Sequence, residues 1–113
     1  MKYYVSKKEV ERNNNTVGHT VFPLLNEEHG CVAGCCTGIS LYKLDEFPPP
    51  GLHDFQEGFI VMEGTGWAKV GDEEFRLEPD VSFIVPKGTE HTIKKDPSVK
   101  HVKLFWFHAS VKD

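Results

Sequence analysis

The chain has 113 residues, a formal net charge of -4, and 39% hydrophobic and 27% charged residues. This length predicts a single domain over residues 1–113, and the composition is that of an ordinary globular protein. Mild acidity with scattered lysines and arginines argues against a nucleic-acid surface, which needs clustered positive charge. The sequence has no apolar run near the roughly 20 residues of a membrane helix and no signal-peptide core at its start, so we expect a cytoplasmic protein that does not contact membranes.

Three cysteines, Cys31, Cys35 and Cys36, lie close together in the sequence. Their odd number and the expected cytoplasmic location argue against a disulfide framework. The spacing C-x3-C-C is not a zinc-binding pattern either. We therefore interpret the three cysteines as small apolar side chains in or near a strand.

Strand patterns dominate the chain after residue 34, whereas residues 1–30 predict only irregular strands and loops, with candidate short strands at 3–5 and 20–22. The predicted strands after residue 34 are, in chain order, 34–47, 59–62, 67–70, 74–77, 82–85, 91–94 and 100–109. Turns rich in glycine, proline or aspartate separate them. No stretch of ten residues has helical periodicity, so short strands at this spacing predict an all-β sandwich or barrel.

Two histidines and one glutamate in this region are of the types that bind metals. His53 and Glu57 are four residues apart in an extended segment, and an even separation puts both side chains on one face of a strand. His91 begins a later strand, after a turn at 86–88. Two imidazoles and one carboxylate suit Fe(II), zinc, manganese or nickel, so the ligand types do not select the metal.

Two longer patterns contain these residues. Residues 86–91 have the form P-x-G-x-x-H, and His53, Glu57 and Gly64 have the spacing H-x3-E-x6-G. These patterns resemble the second and the first sequence motif of the cupin family, and the resemblance extends over residues 35–109. It implies a cupin-type double-stranded β-helix, a jelly-roll barrel. In that family the residues that match His53, Glu57 and His91 surround a divalent metal, which here would be Fe, Mn, Ni or Zn.

The match to the first motif is incomplete. The family has a further histidine two residues before the position of His53, and this chain has Gly51 there, which offers no side-chain ligand. A three-ligand site leaves positions open for water or substrate, as a catalytic metal needs. Alternatively, the lost ligand marks a cavity without metal. In a third interpretation, His53 and His91 are structural residues that hydrogen-bond to Glu57 in a closed core.

Other polar and aromatic residues are candidates for the cavity wall. Asp54 and Gln56 would reach inward only if the chain bulges, and His101 lies on the last predicted strand. We expect His19 to lie at the surface and His108 to face solvent or a partner. The four candidates for the wall are Asp54, Gln56, Trp67 and His101.

Two classes of function fit these features. One is a metal-dependent enzyme of isomerase, dioxygenase or lyase type that acts on a small polar substrate. The other is a non-catalytic cupin that senses or stores a small molecule and has a degenerate or empty metal site. The resemblance leaves both open, because a fold does not determine chemistry. Edge strands invite pairing and small domains have limited cores, so we also expect a homodimer.

Overall fold

The computed structural model describes residues 1–109, with the backbone alone for residues 14–16; residues 110–113 of the predicted domain lie outside the described part. Two short 3-10 turns, Lys7–Glu9 and Glu27–His29, are the helical elements of residues 1–109, and neither has the length or apolar character that a membrane crossing requires. The strands are β1 (Asn13–Thr16), β2 (His19–Pro23), β3 (Cys36–Tyr42), β4 (Gln56–Glu63), β5 (Gly66–Val70), β6 (Glu73–Leu77), β7 (Ser82–Val85), β8 (His91–Lys95) and β9 (Val102–Ala109).

The strands form two antiparallel sheets. The larger sheet has the strand order β1-β2-β3-β9-β4-β7, and the smaller sheet has the order β6-β5-β8. The chain crosses repeatedly between the sheets, so neighbouring strands of the larger sheet, such as β3 and β9, are distant in the sequence. This arrangement is a jelly-roll barrel, and the predicted all-β fold is confirmed.

The hydrophobic core lies between the two sheets. Val102, Leu104 and Trp106 of β9 are buried, whereas the residues between them are partly exposed. Ala68 and Leu77 of the smaller sheet are fully buried against this row. Side chains of a strand alternate between its faces, so the row fixes which side of β9 points inward. Each fully buried valine or leucine side chain stabilises the fold by about 1.5–3 kcal/mol.

Strand β4 carries a carboxylate on its inward face. Glu57, Phe59 and Val61 alternate along the strand and are all buried. The strand begins at Gln56, so His53 belongs to the preceding loop and not, as its even spacing predicts, to the same strand. Glu57 therefore lies at one end of the core, where the loop enters the barrel.

The turn that follows β4 requires a glycine. Gly64 has a φ angle of +86°, and a Cβ atom at this position would overlap the carbonyl oxygen of His101. A backbone oxygen cannot move aside as a flexible side chain can, and other residues rarely adopt a positive φ. The spacing between Glu57 and Gly64 therefore corresponds to the length of β4, from the buried carboxylate to the tight turn.

The N-terminal part contributes two strands to the larger sheet, and the candidate strand at 3–5 is wrong because those residues have no regular secondary structure. Strand β2 contains the strand predicted at 20–22 and pairs with β3 along its whole length, from His19 opposite Tyr42 to Pro23 opposite Gly38. Strand β1 pairs with β2 and forms the edge of the sheet. Because of this pairing, His19 lies beside Tyr42 on the sheet.

Candidate metal centre

The two carboxylate oxygens of Glu57 have different surroundings. Oε2 lies 2.7 Å from Nε2 of His108, and Nε2–H is the donor because an ionised carboxylate only accepts. Oε1 lies 3.9 Å from Nε2 of His53 and 3.9 Å from Nε2 of His91, which is beyond hydrogen-bond length. One oxygen is thus engaged, and the other faces a gap between two imidazoles.

His91 is held in place by its backbone. Its N–H donates to the carbonyl oxygen of Gly51 at 3.0 Å, and its own carbonyl oxygen accepts from the N–H of Gly51 at 2.8 Å. Its Nδ1 is buried and has no hydrogen-bond partner among the described residues. Burial lowers the pKa of His91, an effect that Glu57 opposes and His53 reinforces. His91 is thus kept in the neutral form that binds metals.

His53 lies in the loop before β4, and its side chain is 39% exposed. Its ring stacks on Phe55 with 4.7 Å between the centroids. Its carbonyl oxygen accepts a hydrogen bond from the N–H of Gly88 at 2.8 Å, which ties the loop to the turn before β8. Together with the backbone bonds between Gly51 and His91, this link holds the two histidine-bearing segments against each other.

The three side chains form a group that could hold one metal ion. Ligand atoms of His53, Glu57 and His91 all lie within 4.8 Å of one another. Bonds from such metals to nitrogen or oxygen are about 2.0–2.2 Å long, so one ion can reach two atoms that are 3.9 Å apart. The missing hydrogen bonds to Glu57 contradict the interpretation of both histidines as structural residues in a closed core.

Position 51 faces this group although it carries no ligand. A Cβ atom on Gly51 would lie 3.6 Å from Cε1 of His91, an ordinary van der Waals contact. A longer side chain would therefore begin beside the candidate ligands. The departure from the cupin motif leaves this side of the group open without displacing the backbone.

His108 is part of the site, so the prediction that it faces solvent or a partner is wrong. Its side chain is 21% exposed, and its Nδ1 lies 3.1 Å from Sγ of Cys36. In the antiparallel registers, His108 is directly opposite both Glu57 on β4 and Cys36 on β3. The sequence does contain the signal for this position, because His108 continues the inward row that includes Leu104 and Trp106.

A cavity of about 590 Å³ opens beside His53 and His91. His19 and Tyr42 form part of its wall, and their rings stack with 4.3 Å between the centroids. Nε2 of His19 is buried and has no hydrogen-bond partner within residues 1–109. Burial lowers the pKa of His19; the charge of Glu57 opposes this shift, and His91 adds to it. His19 is therefore a neutral cavity residue, and the expected surface position is wrong. Other residues of the wall include Lys43, Leu44, Pro48, Pro49 and Ile93.

The four residues that the sequence suggests for the wall lie elsewhere. None of them, as far as the described residues show, lines this cavity. Gln56 and Trp67 point away from the core because their neighbours in the strand point inward. Asp54 is exposed in the loop. His101 lies at the other end of β9, where its Nε2 is 2.6 Å from Oε1 of Glu63.

The fold and this site define a jelly-roll protein with a histidine–carboxylate group at one end of its barrel. The cupin domain profile matches residues 41–108, which is more than half of the chain. The chain therefore belongs to the cupin family, and the predicted double-stranded β-helix is confirmed. The match includes His53, Glu57, His91 and His108. A search of curated protein sequences finds no match.

Several solved structures share the fold. The polyketide cyclase RemF from Streptomyces resistomycificus superposes with a TM-score of 0.80 at 16% identity, over 96% of this chain and 79% of RemF. An RmlC-like cupin from Shewanella frigidimarina has a TM-score of 0.79 at 14% identity, over 100% of this chain and 95% of that protein. The Fe(II) form of HppE has a TM-score of 0.77 at 17% identity, over 94% of this chain.

The similarity to HppE covers only part of that protein, since this chain spans 59% of its length. Identities of 14–17% to these three proteins are low. At this level the similarity establishes a shared fold and nothing about a shared reaction.

Proposed function

We propose that this cupin binds a divalent metal through His53, Glu57 and His91, and a small polar molecule in the adjacent cavity. The observation that carries the proposal is the gap at Oε1 of Glu57, which is 3.9 Å from Nε2 of both histidines. A negatively charged oxygen and two imidazole nitrogens that approach one another without hydrogen-bonding form a gap that a cation bound by all three would fill. The donor set suits Fe, Mn, Ni or Zn.

Each residue of the proposed centre has a distinct task. When bound, the ion supplies Lewis-acid or redox chemistry. His91 offers a lone pair because burial keeps it neutral, and Glu57 supplies the negative charge. Position 51 adds no ligand, so coordination positions stay open on the side of the cavity that His53 and His91 line.

The cavity fits a small molecule whose polar groups meet the few polar side chains of a largely apolar wall. Its volume of about 590 Å³ lies within the range of about 300–1,000 Å³ that is usual for small-molecule sites. Tyr42 and two prolines offer apolar surface. The side chains of His19, His91 and Lys43 lie in the same wall and supply its polar groups.

A metal-dependent enzyme of isomerase, dioxygenase or lyase type is our first functional proposal. A three-ligand centre with open positions next to a cavity is the arrangement that a catalytic metal needs. Two structural neighbours agree in kind, since RemF is a polyketide cyclase and HppE has a solved Fe(II) form. These are properties of those proteins, and they support a proposal here only by analogy of fold.

A non-catalytic sensing or storage cupin is the second proposal, and Gly51 is the observation that favours it. A cavity that only binds its ligand tolerates the loss of one metal ligand better than a catalytic centre does. A thermal-shift screen of small carboxylates, sugars and phenols, with and without EDTA, separates the two proposals. Compounds that stabilise the protein equally in EDTA support the second proposal, and compounds that need the metal support the first.

Metal analysis of the purified, untagged protein tests the proposed centre. We expect near-stoichiometric metal in the wild type and its loss in the His53→Ala/His91→Ala double variant, which should remain folded by circular dichroism. His101→Ala is the matched control, because it removes a histidine at the opposite end of β9, and it should retain the metal. A wild type that stays metal-free after incubation with iron, manganese, nickel and zinc salts would refute the proposal.

We also propose that two copies of the chain associate through the outer face of the larger sheet. Ile60, Ile84 and Phe107 lie on adjacent strands of this face and expose 38%, 48% and 41% of their surface. Contiguous exposed apolar residues mark interaction sites. Light scattering at micromolar concentration should give twice the chain mass, whereas a value near 12.8 kDa would contradict the dimer. A cytoplasmic location without nucleic-acid or membrane partners remains a prediction from the sequence.

A further inference from the structure

Three side chains form a hydrogen-bonded row across the larger sheet at the site end. Sγ of Cys36 lies 3.1 Å from Nδ1 of His108, and Nε2 of His108 lies 2.7 Å from Oε2 of Glu57. The registers pair Cys36 with His108 and His108 with Glu57 on adjacent strands. The row is therefore built by three strands of the sheet and does not depend on a loop.

The chemistry of Glu57 fixes the direction of one hydrogen bond, and a neutral His108 fixes the direction of the other. The ionised carboxylate of Glu57 only accepts, so Nε2 of His108 carries the proton that it receives. In a neutral imidazole Nδ1 is then an acceptor, and the thiol of Cys36 is its donor. Burial raises the pKa of Cys36, which agrees with a protonated thiol.

His108 is not placed as a metal ligand. Among the described residues, the group whose ligand atoms lie within 4.8 Å of one another contains His53, Glu57 and His91 but not His108. Both ring nitrogens of His108 are already engaged, one by the carboxylate and one by the thiol. No lone pair is left for an ion, so the contribution of His108 acts through Glu57.

We propose that His108 is a positioning residue of the metal centre: it holds Oε2 of Glu57, so that only Oε1 faces the gap between His53 and His91, and Cys36 fixes the tautomer that makes this possible. The inference rests on the proposed function, since it assigns a partner to one of the three ligands. Removal of a hydrogen-bond partner of a metal ligand weakens metal binding about 10–100-fold.

Titration of the full chain with Co²⁺, followed by its visible absorption, tests this role. His108→Phe keeps a ring but has no donor, and its affinity for Co²⁺ should fall about 10–100-fold. His108→Gln keeps an N–H donor and should restore most of the affinity. The matched control is His101→Phe, which makes the same substitution beside Glu63, far from the site. It should bind Co²⁺ with the affinity of the wild type. At saturation, the spectrum of His108→Phe should match the wild type, because no ligand is lost.

Cys36 provides a second pair of variants that does not alter His108. Cys36→Ala removes the donor to Nδ1 and should weaken Co²⁺ binding, whereas Cys36→Ser keeps a donor and should bind as the wild type does. Nitrogen NMR of the metal-free protein should show the Nε2–H tautomer of His108 in the wild type. These measurements test the row even if His108→Phe does not fold.

The possible failures can be told apart. Wild-type affinity in His108→Phe would overturn the positioning role and leave the proposed metal centre intact. A changed spectrum at saturation in that variant would show that His108 is itself a ligand, which also overturns the inference. Equal affinities of the Cys36 variants, with the Nδ1–H tautomer in the wild type, would remove the thiol from the row. A wild type that binds no Co²⁺ would overturn the proposed function and the inference together.

Discussion

The two ends of the β4–β9 pair each carry a hydrogen bond between a glutamate and a histidine. His108 and Glu57 are 2.7 Å apart at one end, and His101 and Glu63 are 2.6 Å apart at the other. The side chain of Glu57 is 9% exposed and that of Glu63 is 56% exposed. Residue types and bond length are nearly the same, so neither distinguishes a candidate site from an ion pair at the surface.

The surroundings of the second carboxylate oxygen make the difference. At the exposed end, the bond to His101 lowers the pKa of Glu63, and the nearby Lys103 and Lys100 act in the same direction. Exposed pairs of this kind contribute little to stability. At the buried end, the second oxygen of Glu57 faces two imidazoles without bonding to either. This gap between a carboxylate oxygen and two imidazoles is the feature on which the proposed metal centre rests.

Replacement of each glutamate by glutamine should give the largest difference in metal affinity between the two ends of the β4–β9 pair. Glu57→Gln removes the anionic ligand of the proposed centre, and we expect metal affinity to fall by more than about 100-fold, beyond the usual effect of a residue that only supports a ligand. Glu63→Gln should leave affinity unchanged, since it lies at the other end of the strand. Titration of both variants with Co²⁺ measures the difference, and metal retained by Glu57→Gln would place the ion elsewhere.

Substitution of each histidine by alanine should lower the free energy of unfolding by different amounts at the two ends. His108→Ala leaves Oε2 of Glu57 buried without its donor, which should lower the free energy of unfolding by about 1–3 kcal/mol. His101→Ala frees an exposed carboxylate that water can solvate, so we expect a smaller loss, which comes from the packing of a side chain that is 12% exposed. Urea unfolding of the metal-free proteins checks both expectations. An equal loss in the two variants would mean that burial of the glutamate does not matter.

The smallest expected effect is a difference in pH dependence. Burial lowers the pKa of His19 and His91, so the unfolded chain takes up protons first, and stability should fall as the pH drops below about 6.5. The lowered pKa of Glu63 gives a contribution that is present above the unfolded pKa of 4.5 and disappears as the pH falls through the folded value. Between pH 7.5 and pH 5, the urea midpoint of His19→Gln should therefore depend less on pH than that of the wild type. The midpoint of Glu63→Gln should change with pH as that of the wild type does. The opposite pattern would contradict this assignment.

The strands could be predicted from the sequence because their signals are local. Strand β7 coincides with the predicted 82–85, since turn residues before it and Pro86 after it mark both ends. His53, Glu57 and His91 come together as the two motifs imply, and the backbone bonds between the motif segments explain why those short patterns act as a unit. Their role as metal ligands remains a prediction.

Residues that reach the site through long-range pairing could not be predicted in the same way. His19 enters the cavity wall because β2 pairs with β3 in one particular register, and no local pattern specifies that register. The sequence makes His101 a candidate on the last predicted strand, but β9 begins at Val102, and His101 contacts Glu63 at the far end. For His108, the alternation along β9 was sufficient once Trp106 was known to point inward.

The backbone links around position 51 have a consequence for engineering. Hydrogen bonds from Gly51 to His91 and from Gly88 to His53 use main-chain atoms alone, so a changed side chain at position 51 leaves them in place. A Cβ atom there meets nothing closer than 3.6 Å. The substitution Gly51→His would thus give the chain a potential ligand at each of the four metal-ligand positions of the two motifs. The two proteins would form a matched pair in which the value of a fourth ligand can be measured within one unchanged barrel.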